Sequence, residues 1–214
     1  MREIEWGEVL VFSPYRWEKV PAGATWIESP NWSHSEFCAW VWQDLVHHVI
    51  KPFCFKIEWD GFVCDSSQWT DEFLKYDFVG APWWYDDGLN VGCGAALKSR
   101  RFMQFLSDRR DEYPVKYPDD GVLGREYRPR LEREGFVWAP EPLASRFGLE
   151  CTRPAADSKH FMFHDSFNFP NVLSGERLEE RLRLVYANPY LRSGDKIRHL
   201  ECGRRPLILE RLAG

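Results

Sequence analysis

Short apolar runs and helix-period segments take turns along this chain, and that alternation limits the folds open to it. The apolar runs are residues 9–12 in "EVLVFSPYR", 53–59 in "FCFKIEW", 77–83 in "DFVGAPW", 136–140 in "FVWAP", and one ending near His164 in "HFMFHDSFNFP". Between them lie segments with helical spacing. Ser33-His34-Ser35-Glu36 fits a capping box and opens a helix with Phe37, Trp40, Val41, Leu45 and Val49 on one side, stopped before Pro52. "SSQWTDEFLKY" is a short helical piece with Trp69, Phe73 and Leu74 inward. "NVGCGAALKSRRFMQFLSDRR" is a Gly-rich turn running into a helix whose inner side holds Leu97, Phe102, Phe105 and Leu106. "VLGREYRPRLEREG" is a helix that Gly135 ends, and "ERLEERLRLVY" is another. The alternation predicts an α/β sandwich with a mostly parallel central sheet. In such sheets ligands bind beyond the carboxyl ends of the strands.

Composition narrows the function classes. The chain has 214 residues, enough for one substantial domain. A net charge of -5 argues against attraction of the whole molecule to nucleic acid or anionic membranes. No apolar run approaches the about 20 residues of a membrane span. The N-terminus, Met1-Arg2-Glu3-Ile4-Glu5, lacks a signal peptide's apolar core. The six cysteines are scattered without a C-x-x-C pair, so reduced thiols are expected and a Cys-based structural zinc site is not. A cytoplasmic location is expected. The eleven tryptophans are expected mostly in the core, with two or three lining a site. Residues 175–214 carry nine Lys/Arg against six Asp/Glu, a surplus that fits a solvated helix face.

Four constellations could carry chemistry. Glu58-Trp59-Asp60 follows an apolar run. Its two carboxylates could hold Mg²⁺ or Mn²⁺ against a diphosphate, or Asp60-Gly61 could be an ordinary turn. Gly92-Cys93-Gly94 lets backbone approach a ligand, or lets strand and helix pack closely. It lacks the third glycine of a dinucleotide fingerprint and the ending of a P-loop, so neither NAD binding nor ATP hydrolysis is indicated. Asp119-Asp120 stands where an N-cap is expected near Val122. Alternatively, one carboxylate raises its neighbour's pKa into the range of a general base. His164, at a strand end, could ligate a metal, contact a phosphate or be structural.

The order of these motifs resembles the DUF5672 family of glycosyltransferases. The match runs through "EWDGFV", "WTDEFLKYDFVGAPW", "VGCG", the acidic pair, "FVWAPEPLASRFGLE" and "FMFH", about residues 9–168. The family is similar to GT-A glycosyltransferases, which implies a GT-A-like, Rossmann-like fold over residues 1–174 that binds a nucleotide-sugar. Residues 175–214 would be a helical extension packed on it. The resemblance implies that Asp60, with Glu58 and Trp59, takes the place of the metal and diphosphate motif. Gly92, Cys93 and Gly94 would border the donor sugar, and Ser13 and Arg16 would meet the nucleotide. Asp120, beside Asp119, would be the base on the acceptor hydroxyl, and His164 would join Asp60 on the metal. The family's usual Gln is Glu58 here, its Asn-Gly-Gly-Phe is Cys93-Gly94-Ala95-Ala96, and the Glu of its Glu-Asp is Asp119. The changes at Cys93 and Ala96 fall where donor or acceptor would be shaped, so they bear on specificity.

The implied reaction is sugar transfer from a nucleotide-sugar, with a UDP-sugar as the leading donor, to an acceptor hydroxyl. It would be assisted by a divalent cation (Mn or Mg) and would invert the anomeric centre. The acceptor could be a glycan, a small molecule, a protein or a nucleic acid. The rival readings are a non-catalytic nucleotide- or carbohydrate-binding module and a transferase acting on a modified nucleic-acid base.

Overall fold

A computed structural model describes residues 4–16, 20–83, 85, 87–150, 159–165, 168–169 and 173–187. Strand β1 (Val9–Ser13) lies parallel to β2 (Ala24–Glu28) as a separate two-stranded sheet. The central sheet has the order β3 (Phe53–Ile57), β6 (Ala95–Ser99), β5 (Phe78–Gly80). A third, small sheet joins β4 (Phe62–Val63), β8 (Met162–Phe163) and β7 (Gly148–Leu149). The helices are α1 (His34–Gln43), α2 (Arg100–Asp108), α3 (Asp119–Gly121), α4 (Arg128–Arg133), α5 (Glu141–Phe147) and α6 (Gly175–Ala187). Wider, π-type winding over Val122–Tyr127 joins α3 to α4. No helix among the described residues is long and apolar enough to cross a membrane.

The mixed α/β class agrees with the sequence, but the expected mostly parallel central sheet does not. Both pairings in the central sheet, β3 with β6 and β5 with β6, are antiparallel. The cause is the segment read as the start of a helix. Residues 95–99 form the middle strand instead, and the helix begins only at Arg100. The chain leaves β5 and returns through the 81–94 segment, pinned by a bridge between Pro82 and Asn90, with no crossover helix among its described residues to restore a parallel direction. Among the described residues, parallel pairing is confined to β1–β2, β7–β8 and an isolated bridge between Phe78 and Trp138.

All five residues of β6 are buried, and their alternation divides the core. Ala96, with Phe78, faces α1, α2 and α4 through Val41, Phe102 and Leu131. Ala95 and Leu97, with Val79, face Phe73, Phe147, Phe161 and Met162. The expected capping box opens α1: the Ser33 amide donates to Glu36 Oε2 at 2.8 Å, and the Glu36 amide donates to Ser33 Oγ at 3.4 Å. The α-helix stops earlier than its apolar spacing suggests and tightens into a 3₁₀ turn over Leu45–His48. Leu74 is exposed rather than inward, and Gly135 ends α4 with φ of 87°. Helix α6 covers the first residues of the expected C-terminal extension, and Leu178 is its buried residue among the described side chains. The rest of that extension lies outside the described residues.

Candidate functional site

Antiparallel pairing still gathers the motifs at one end of the sheet. Ile57 pairs with Ala95 and Gly80 with Ala96, so the C-terminal ends of β3 and β5 flank the N-terminal end of β6. Glu58-Trp59-Asp60 continues from β3, and Gly92-Cys93-Gly94 leads into β6. The Gly61 amide donates to Glu58 O at 3.1 Å, closing the tight turn the sequence allowed. That turn leaves Trp59 exposed and directs Asp60 inward, where it is 5 % exposed.

His164 meets Asp60 from β8. Its Nε2 lies 3.2 Å from Asp60 Oδ1, and its Nδ1 pairs with Glu150 Oε1. The backbone is locked on both sides of the ring: the His164 amide donates to Leu149 O at 2.9 Å. Asn168, fully buried, donates to His164 O at 2.7 Å and to Glu150 O at 3.0 Å. Trp83, from the "GAPW" run, donates its indole N–H to Glu150 Oε2 at 2.9 Å. Burial alone would push the His164 pKa down. Glu150 and then Asp60 outweigh it, and the pKa stands well above the ordinary imidazole value.

The two glycines are where these side chains press on the backbone. A Cβ on Gly94 would overlap the His164 ring, and one on Gly92 would overlap the Glu150 carboxylate. The Gly-rich turn thus admits the site's own side chains and leads into a strand, not a helix. Between the glycines, the Cys93 amide donates to Asp120 Oδ1. Asp120 does not cap the following helix. Pro118 holds the N-cap position of α3 and no side chain caps it. Burial, then Asp119 and Glu150, push the Asp120 pKa well above the ordinary carboxylate value, against the Cys93 amide and His164.

Glu58 is paired with Lys56 at 2.5 Å. Burial pushes its pKa up, but Lys56 and His164 prevail and hold it below the ordinary value. One ligand atom each from Glu58, Asp60 and His164 lies within 4.8 Å of the others. Two carboxylate oxygens and an imidazole nitrogen suit a hard or borderline cation such as Mn²⁺ or Mg²⁺. A carboxylate behind the other ring nitrogen, here Glu150, is the usual support of a metal-binding histidine.

The structure therefore brings together Glu58, Asp60, Gly92, Cys93, Gly94, Asp120 and His164. It does not bring Ser13 or Arg16 to the cluster by a hydrogen bond or ion pair among the described residues. Ser13 Oγ donates to Tyr15 O at 2.8 Å, and Arg16 lies over the Trp26 ring at 5.8 Å. Lys56 and Glu150 were missed as site residues. Glu150 closes the "FVWAPEPLASRFGLE" match, and that placement was its signal. The tryptophans were also misjudged. Trp42 and Trp138 are deeply buried, while Trp6, Trp32, Trp40, Trp59 and Trp69 line a cleft of about 1570 Å³ that reaches Glu58.

Comparison of the chain with protein-family models, with curated proteins and with solved structures returns no match. What the fold and site define by themselves is an α/β protein with a partly buried carboxylate–histidine cluster at the end of its central sheet, beside an aromatic cleft.

Proposed function

We propose that this protein is a glycosyltransferase that uses a nucleotide-sugar, with a UDP-sugar as the leading donor, and a divalent cation. One observation carries the reading. The Glu58, Asp60 and His164 donor set and the Asp120 carboxylate meet across a single backbone segment, Gly92-Cys93-Gly94. A donor diphosphate belongs on the first group and an acceptor hydroxyl near the second. A cation held by Glu58, Asp60 and His164 would supply Lewis acidity to the departing diphosphate. Asp120 accepts the acceptor's proton while the acceptor oxygen bonds to the anomeric carbon and the bond to the diphosphate breaks. A base acting directly on the acceptor gives inversion. The burial that raises the Asp120 pKa makes it a stronger base than an exposed aspartate. The aromatic cleft reaching Glu58 offers flat rings for sugar or base stacking.

The test pairs binding with turnover. UDP-, GDP-, CMP- and TDP-sugars with Mn²⁺ are screened for a rise in melting temperature, and hits are assayed for transfer and hydrolysis. Asp60→Asn is expected to lose the metal-dependent shift. Asp120→Asn is expected to keep that shift and lose turnover by about 10²–10⁴-fold, the range of a general base. Wild-type turnover in both variants would refute the site, and binding without turnover in the unmodified protein would point to a non-catalytic module.

A further inference from the structure

A second set of metal-ligating side chains lies between α1 and the start of α3. His34 is the first residue of α1, and Cys38 stands one turn later on the same side. Asp119 reaches them from α3, and one ligand atom from each of the three lies within 4.8 Å of the other two. His34 Nε2 and Cys38 Sγ are 3.6 Å apart. Zinc bonds of about 2.0–2.1 Å to nitrogen and about 2.3 Å to sulfur, opened to a tetrahedral angle, set the two ligands about 3.5 Å apart. This edge therefore has the length that a shared ion requires; without one, the same separation serves a hydrogen bond.

We propose that His34, Cys38 and Asp119 form a zinc-type metal site, completed by water, that ties α1 to the turn carrying Asp120. The donor set supports zinc over the harder cations. A thiolate with an imidazole selects zinc, whereas the two carboxylates and imidazole of Glu58, Asp60 and His164 suit Mn²⁺ or Mg²⁺. Access also fits, because His34 is exposed and lines the large cleft while Cys38 is buried behind it. The surroundings are rich in negative charge. Burial, then Asp119 and Glu58, push the Cys38 thiol up to about 12, with Lys56 opposing. A divalent cation on the sulfur replaces the thiol proton, which leaves to solvent. The absence of a C-x-x-C pair does not count against this site, because its ligands come from a helix turn and a distant aspartate. It stands independently of the transferase reading.

Titration of the full-length, metal-free protein with Co²⁺ tests it. One equivalent is expected to produce the strong visible bands of tetrahedral cobalt and a near-ultraviolet thiolate charge-transfer band, both removed by Zn²⁺. Cys38→Ser should lose the charge-transfer band, and His34→Gln should weaken cobalt affinity at least tenfold with unchanged circular dichroism. His164→Gln should keep the band. No thiolate band under excess cobalt, a band surviving in Cys38→Ser, or a band lost in His164→Gln would each overturn the proposal. If Cys38→Ser does not fold, His34→Gln decides: unchanged affinity there refutes the site.

Discussion

His164 is shared by two carboxylates, and the sharing assigns each a different task. Asp60 faces Nε2, the nitrogen that would ligate a cation, and Glu150 holds Nδ1. Glu150 is itself fixed by Trp83, so its charge and its direction are both set. Glu150→Gln keeps the shape and removes the charge. It is expected to lower Mn²⁺ affinity about 10–100-fold, the usual cost of losing the partner of a ligating histidine, with the fold preserved by circular dichroism. Calorimetric titration with Mn²⁺ checks this, and unchanged affinity would leave Glu150 a packing residue. Gly94→Ala acts on the same ring by steric means. A methyl group there overlaps His164, so either the ring or β6 must move. The expected cost is about 1–3 kcal/mol in urea unfolding, with loss of the Mn²⁺ response. Asp60 and His164 were legible in the sequence because each is a polar residue at the end of an apolar run, and Asp120 because it belongs to an acidic pair just ahead of a helical segment. Glu150 carried only the weaker signal of closing a matched segment, because its importance comes from pairing with a histidine that is adjacent only in the folded chain.

At the scale of elements, β6 decides the architecture, and it is also where reading by pattern fails. "AALKS" has no β-branched residue, and two alanines before a leucine look like the first turn of a helix. Its place between two strands explains the small residues: Ala95 and Ala96 face opposite layers of a tight sandwich. By contrast α1 was legible, because its cap is a local bond between residues three apart. Ser99 ends β6 and opens α2 at once. Its hydroxyl accepts the Phe102 amide at 3.2 Å and donates to the buried Asp77 at 2.6 Å. Asp77 also takes the Arg101 guanidinium and the Val137 amide, so one carboxylate joins β5, β6, α2 and the 137–139 segment. Ser99→Ala removes a helix cap and one of these donors. It is expected to cost about 1–3 kcal/mol in equilibrium unfolding while leaving metal affinity unchanged. A change below the error of the urea midpoint would mean that Asp77 is held by Arg101 and Val137 alone.

At the scale of the whole molecule, the buried charges of the site make stability depend on pH in a direction that the net charge does not reveal. In the metal-free protein, His164 has a pKa raised above its ordinary 6.5. Its charged form therefore stabilises the fold fully below 6.5, and the contribution is lost as pH rises through the higher folded value. Asp120 is raised above its ordinary 3.8, so its neutral form favours the fold, and its contribution too declines as pH rises. Glu58 is lowered from 4.5 and opposes them, losing its contribution only as pH falls through its folded value. His164 adds a limb of stability that falls as pH rises above 6.5 and through its folded value, and Asp120 adds a decline of the same sign. A divalent cation at Glu58, Asp60 and His164 reverses the limb, because it binds the unprotonated ring and gains affinity as the proton leaves. Melting temperatures from about pH 5 to about pH 9, in EDTA and in Mn²⁺, check both arms. In EDTA the temperature is expected to fall with pH, and His164→Gln should flatten that slope. In Mn²⁺ the gain over EDTA should grow with pH in the unmodified protein and vanish in Asp60→Asn. Equal curves in EDTA and Mn²⁺ would leave the cluster a structural knot of charges rather than a metal site.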